Sequence, residues 1–190
     1  MTTSSAPRSE YVYLDHAATS PLRPEAHVAM EPFGDVMYAN PSGSHRFARE
    51  ARRAIDEARD QIAELIGCRP GEIVFTSGGT EGANSAILGS VRRNGGTAVC
   101  AASEHHAVLH CVEHVNGTVV PVTEQGPVSP DVIRETLAAM IDVSVVSVMA
   151  VNNETGAIND LEHISHAVKG RAENAVLHTD AVQAACWLDL

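Results

Sequence analysis

The chain has 190 residues, enough to bury the core of one domain or a little more, and its 44% hydrophobic and 19% charged residues are ordinary for a globular protein. Thirteen basic against 24 acidic residues leave a formal charge of −11, which argues against a nucleic-acid partner, since that binding needs a basic surface. The longest apolar stretches fall far short of a membrane span and the N-terminus has no apolar secretory core, so no membrane partner and a cytoplasmic location are expected.

Residues 1–9 read as a frayed tail. Residues 11–43 are rich in turn formers and read as an arm rather than a core layer, so 1–43 is expected to be tail and arm, and 44–190 an α/β domain. Apolar residues at Phe47, Ala51, Ile55, Ala58, Ile62 and Leu65 predict a helix over 44–66, with Gly67 as its stop. A strand is predicted over 72–76, followed by Ser77-Gly78-Gly79-Thr80 and a helix to about Val91. Residues 97–101 read as a strand, 107–115 as a helix, and 118–122 as a strand whose Pro121 favours a sheet edge or a strand end. Ser129 and Pro130 open a helix that carries Val132, Ile133, Leu137, Met140 and Ile141. The nearly continuous apolar run 143–151 suits a strand covered on both faces. Asn159 with Glu162 reads as a cap for a helix to Lys169, and 175–179 as the last strand. This alternation predicts a mostly parallel sheet with helices on both faces.

Four polar segments fall at predicted strand ends, each with two readings. Gly78, Gly79 and Thr80 at a helix start can bring N–H groups and a hydroxyl to an anion, or simply make a glycine turn. The lysine of a P-loop is missing there. His105, after Glu104, can stack on a flat ring or move a proton, or it is a solvated loop histidine. Asn152 and Asn153 can hold a carboxylate or a phenolic oxygen, or close a turn with Gly156. Asp180 can hold a protonated ring nitrogen while Gln183 reaches a ring oxygen, or Asp180 caps a helix. His106, His110 and His114 offer a zinc reading, but i to i+8 spans about 12 Å, too far for three ligands on one ion. No metal site is expected. Cys68, Cys100, Cys111 and Cys186 show no CxxC spacing and read as reduced structural thiols.

A phosphate cradle, a stacking ring, an amide and a carboxylate for a pyridinium together make an environment suited to pyridoxal 5′-phosphate. Tyr13-Leu-Asp-His-Ala-Ala-Thr-Ser-Pro, Asn40-Pro-Ser-Gly-Ser-His, Phe75-Thr-Ser-Gly-Gly-Thr-Glu, Glu104-His105, Val151-Asn-Asn-Glu-Thr-Gly and Asp180-Ala-Val-Gln resemble, in order and spacing, the N-terminal part of the cysteine desulfurases. These belong to the class V aminotransferase group of fold-type I pyridoxal phosphate enzymes. The resemblance implies an incomplete large domain of that fold, preceded by an arm. It implies phosphate binding by Gly79 and Thr80, ring stacking and proton transfer by His105, and contact of Asn153 with the phenolic oxygen and the substrate carboxylate. It also implies pairing of Asp180 with the ring nitrogen, and a hydrogen bond from Gln183 to the ring oxygen.

The resemblance further implies a homodimer that converts L-cysteine to L-alanine and hands the sulfur to an enzyme thiol, with a sulfur-acceptor protein as a further partner. The family's cofactor-anchoring lysine and its persulfide-forming cysteine follow later than Asp180, so this chain alone is expected to be inactive. Lys169, the only lysine, precedes the last strand and does not match the anchor. Selenocysteine lyases resemble desulfurases over the same region, and a non-catalytic relative that binds cofactor or a partner is the alternative.

Overall fold

Alternating buried side chains along Thr97–Ala101 (β1) give that strand two covered faces, and the fold is built outward from it. The computed structural model describes residues 12–185, 187 and 188. Contacts divide the chain into two units, Met1–Ala58 and Arg59–Leu190. In the second unit, Thr118–Val120 (β2), Val143–Ser147 (β3) and Val176–His178 (β4) join β1 in a parallel sheet of order β2-β1-β3-β4.

Helices cover both faces, as the alternation predicts. Ala98 and Cys100 of β1, with Val145 of β3, pack against Gly79–Asn94 (α3) through Ala83 and Ile87, and against His106–His114 (α4) through Val108, Cys111 and Val112. Val99 and Ala101, with Val146 and Val148, face Pro130–Ala138 (α5) through Ile133 and Leu137, and Leu161–Lys169 (α6) through Ile164, Ala167 and Val168. From β1 the chain crosses by α4 to β2, and from β3 by α6 to β4, in the opposite direction. The strand order therefore reverses between β1 and β3. Open α/β sheets bind ligands outside the strand C-termini at such a reversal.

Local signals hold in several places. Ser129 Oγ accepts from Asp131 N at 3.3 Å with Pro130 at the first helical position. Pro121 follows directly on β2, which is an edge of the described sheet. Gly96 has φ +75°, and a Cβ there would collide with the Asp142 carbonyl that receives the Thr97 N–H. Among the described residues no helix is long and apolar enough to cross a membrane.

Two expectations about this unit are corrected. Residues 72–76 do not pair as a strand: Pro70–Glu72 is a short 3₁₀ turn, Ile73 is extended, and 73–76 forms no strand with any described residue. Extended chain becomes a strand only when a neighbour takes its N–H and C=O groups. Val74 and Phe75 are exposed, and the Arg59 guanidinium lies 5.1 Å from the Phe75 ring centre. Asn159 is not the cap of α6. Asp160 is, with Oδ1 accepting from His163 N at 3.1 Å. Asn159 is buried instead, accepting from Val128 N and donating to Met149 O, each at 2.8 Å. An amide offers both a donor and an acceptor and so can bridge two buried backbone groups, whereas a carboxylate only accepts.

In the first unit, the turn-rich stretch 12–43 contains a helix, Pro24–Asp35 (α1), with no buried residue. The following helix, Arg46–Ile66 (α2), runs on past Ala58, and its period matches the expectation. Its buried residues, however, are Ala48, Ala51 and Ala63, while Phe47 and Leu65 of the expected stripe are exposed. Periodicity identifies a helix and leaves open how much of its apolar face is covered.

Asn159→Ala should lower the unfolding free energy of the full-length protein by about 1–3 kcal/mol, because two buried backbone groups lose their partners. Urea titration checks this, and an unchanged midpoint would contradict the bridging role.

Candidate active site at the C-terminal rim of the sheet

β1 runs out through Ser103 and Glu104 to His105, the N-cap of α4, whose Nδ1 accepts from Ala107 N at 3.1 Å. That bond leaves Nε2 as the nitrogen open to other partners, and the ring is exposed. Beyond β3 the backbone stays aligned with the end of β4: Val148 N donates to His178 O at 3.0 Å and Ala150 N to Asp180 O at 2.9 Å. The ends of β1, β3 and β4 thus share one rim.

The two asparagines after β3 divide the work. Asn152 is structural: its Nδ2 donates to Ser103 O at 2.9 Å, and its Oδ1 accepts from the backbone of Glu154 at 3.0 Å and Thr155 at 2.8 Å. Gly156 closes this turn at φ +72°, donating to Asn152 O at 3.0 Å. Asn153 is half-buried and has no hydrogen-bond partner among the described residues, so its amide remains available.

Asp180 uses Oδ1 to accept from Val182 N at 3.0 Å, the local role that a capping residue plays. Its Oδ2 has no hydrogen-bond partner among the described residues, so the two readings of this residue are compatible. Gln183 is half-buried in the turn that follows. That turn abuts the start of α3, since a Cβ on Gly79 would lie 3.7 Å from Val182 Cγ2. A Cβ on Gly78 would meet nothing within 4 Å. The first N–H groups of α3 have no side-chain cap, and Thr80 is exposed beside them. Ser77 N and Oγ both donate to Glu81 Oε2 at 2.7 Å; these bonds lower the Glu81 pKa and fix the turn from its outer side. The structure therefore brings Gly79 next to the Asp180 turn and sets His105 and Asn153 on the loops of the same rim.

Sequence reasoning gave Glu104 no role of its own. Its side chain is buried, with Oε1 accepting from Met149 N and Oε2 from Ser147 Oγ at 3.2 Å. Burial pushes its carboxyl from 4.5 up to about 7; the hydrogen bonds from Met149 and Ser147 oppose the shift, and the charge of Asp180 adds to it. Burial likewise raises the Cys100 thiol to about 12, with Glu104 contributing, and lowers His178, against the pull of Asp180. The signal in the sequence was a carboxylate three positions after the mostly apolar strand 97–101. Ser103 Oγ and Thr179 Oγ1 are buried at the same strand ends without a hydrogen-bond partner among the described residues.

Other candidates lie elsewhere. His106, His110 and His114 are exposed on α4, the first two with rings 5.7 Å apart, and among the described residues no three His, Cys, Asp or Glu side chains gather as a metal site. Lys169 ends α6, which places it toward the start of β4, at the opposite end of the sheet from Asp180. Cys100 and Cys111 are buried, Cys68 is partly exposed, and Cys186 lies outside the described residues.

The donor set fits pyridoxal 5′-phosphate. Uncapped N–H groups at a glycine turn suit its phosphate, an exposed imidazole its ring face, and a carboxylate with one open oxygen its ring nitrogen. A doubly wound α/β sheet with those groups at its rim is an architecture suited to holding such a group. More particularly, the family described as aminotransferase class-V matches residues 12–188, and the chain belongs to that family. It is 43% identical over 180 residues to "Cysteine desulfurase IscS" of Dictyoglomus turgidum, covering 90% of this chain and 45% of that protein. Among solved structures, a "NifS-like protein" superposes with a TM-score of 0.84 at 31% identity, over 91% of this chain and 49% of the other. "SspA in complex with cysteine" does so with a TM-score of 0.82 at 31% identity, over 94% and 52%. The chain thus spans about half the length of the relatives it matches.

A carboxyl whose folded pKa lies above its unfolded value contributes stability that is complete below the unfolded pKa and is lost as pH rises through the folded one. Relative to Glu104→Gln, the native full-length protein should therefore lose unfolding free energy, at most on the order of 3 kcal/mol, as pH rises from about 4.5 to beyond 7. Denaturant titrations of both proteins across that range check it, and parallel pH profiles would contradict the buried acid.

Proposed function

We propose that this chain forms the cofactor-binding part of a pyridoxal 5′-phosphate-dependent cysteine desulfurase, which converts L-cysteine to L-alanine and passes the sulfur to an enzyme thiol. The observation that carries the reading is the gathering of Gly79, Thr80, His105, Asn153 and Asp180 on the loops at one sheet rim, where the strand order reverses. The names borne by its relatives, and cysteine as the ligand of one of them, support the substrate.

In this proposal the backbone at Gly79 and the Thr80 hydroxyl hold the phosphate against the positive end of α3. The His105 ring covers the pyridine face; with Nδ1 accepting from Ala107 N–H, the neutral ring carries its hydrogen on Nε2 and offers it as a donor, and proton uptake by the ring requires that the Ala107 bond be given up. Asn153 presents its amide to the phenolic oxygen and the substrate carboxylate, and Gln183 to the ring oxygen. Asp180 Oδ2 keeps the ring nitrogen protonated. When bound, the cofactor supplies the electron sink for bonds broken at the substrate α-carbon. Buried and held as thiols, Cys100 and Cys111 are not the sulfur-accepting group. A homodimer, a sulfur-acceptor protein and a cytoplasmic location complete the proposal; exposed Leu14, Val28, Met30 and Phe33 support an assembly partner for the first unit.

A hydrogen bond to a charged group is worth about 1.5–3 kcal/mol, so Asp180→Asn should weaken cofactor affinity about 10- to 150-fold. Absorbance titration of the full-length protein with pyridoxal 5′-phosphate measures this, and an unchanged affinity would remove Asp180 from the site. With L-cysteine and a thiol reductant, a cofactor-loaded enzyme that joins this chain to the anchoring lysine and the sulfur-accepting cysteine should release alanine and sulfide in equal amounts. Turnover of L-selenocysteine alone would make it a selenocysteine lyase, and turnover of neither would overturn the reading.

A further inference from the structure

Glu104, Ser147 and His178 come from the ends of three adjacent strands, and no step above uses them. Ser147 Oγ lies 3.2 Å from Glu104 Oε2 and 2.8 Å from His178 Nδ1. A hydroxyl has one hydrogen and cannot donate to both neighbours. Two arrangements satisfy the chain. In the first, Glu104 is protonated and donates to Ser147 Oγ, which donates to His178 Nδ1, so the imidazole hydrogen sits on Nε2. In the second, the Glu104 carboxylate accepts from Ser147, which in turn accepts from a hydrogen on His178 Nδ1. Met149 N–H serves Glu104 Oε1 in both. Passing from first to second releases one proton to solvent and moves the neutral imidazole hydrogen from Nε2 to Nδ1. A charged imidazole is disfavoured, since burial lowers the His178 pKa.

The unit lies within reach of the Asp180 charge, which raises the Glu104 pKa. Glu104 binds the Met149 N–H, and the Asp180 carbonyl binds the next N–H along, that of Ala150. We propose that Glu104, Ser147 and His178 act as one proton-linked unit that places a second negative charge near Asp180 when Glu104 ionises, making Glu104 a positioning residue for the Asp180 carboxylate. This rests on the reading of Asp180 as the partner of a pyridinium nitrogen. An added negative charge close by favours the protonated form of that nitrogen, so the unit sustains the pairing as pH rises. The other titratable groups facing Glu104 are Asp180, on the loop after β4, and Cys100 on β1, whose thiol at about 12 does not change charge in this range.

The test begins with the cofactor-free full-length protein carrying ¹⁵N-histidine, with the His178 signals assigned by their loss in His178→Gln. The hydrogen should move from Nε2 to Nδ1 with a midpoint near pH 7, following Glu104. In Glu104→Gln the side-chain NH₂ donates to Ser147 as the protonated acid does, so the Nε2 form should persist at every pH. Ser147→Ala should likewise abolish the exchange while leaving the protein folded. A His178 tautomer that does not change in the native protein, or that still switches in either variant, overturns the proton link. Pyridoxal 5′-phosphate is then added, and the absorbance of the bound ring is followed against pH. The ring nitrogen should lose its proton at lower pH in Glu104→Gln than in the native protein. Identical profiles overturn the role toward Asp180. Failure of the native protein to bind the cofactor overturns the functional reading instead, and the histidine measurement on the cofactor-free protein still decides the proton link.

Discussion

The parallel pairing of β1 with β3 is the constraint on which the rest of the second unit depends. Two strands buried on both faces are mostly apolar, and each sends its connecting helix to the face that the other's helix leaves open. α4 and α6 depart in opposite directions, and the loops above the pair spread apart. A cleft follows from topology before any polar side chain is placed in it. What the side chains add is closure of its floor. Glu104 reaches from the end of β1 to the backbone of Met149, and Asn152 reaches back from the β3 side to Ser103 O. One bond in each direction keeps the two strand ends at a set distance.

That floor is polar and buried, which costs free energy unless each group is matched. Glu104 meets the cost by remaining a neutral acid over much of the range in which carboxylates are normally charged. Ser147 and His178 supply partners of adjustable polarity, because a hydroxyl and an imidazole can each donate or accept. Asp180, one peptide group away and less buried, stays outside this chain and keeps an oxygen for the cleft. Two carboxyls at neighbouring positions thereby take different roles by environment, one inside the wall and one at its surface.

Adjacent residues of the same type diverge for the same reason. Asn152 faces the β1 loop and is spent on the turn; Asn153, one residue on, has no such neighbour. Asn159 turns inward to bridge two backbone groups and Asp160 outward to cap α6. The outcome is not written in spacing, although an amide can bridge where a carboxylate cannot. It depends on which backbone groups arrive from 30 or so positions away, as Val128 does for Asn159.

The sequence by itself determined the alternation of helices and strands, the glycine turn before α3, the Ser129 cap and the apolar β3 run. These rest on local sterics and on periodicity, which act over a few residues. It also carried the motifs by which the family is recognised. The tertiary structure alone decided that 73–76 has no strand partner, that the large apolar side chains Phe47 and Leu65 stay exposed, and that Glu104 is a buried acid joined through Ser147 to His178. Pairing, burial and proton sharing are properties of groups far apart in the chain, and only the packing of the sheet brings them within reach of one another.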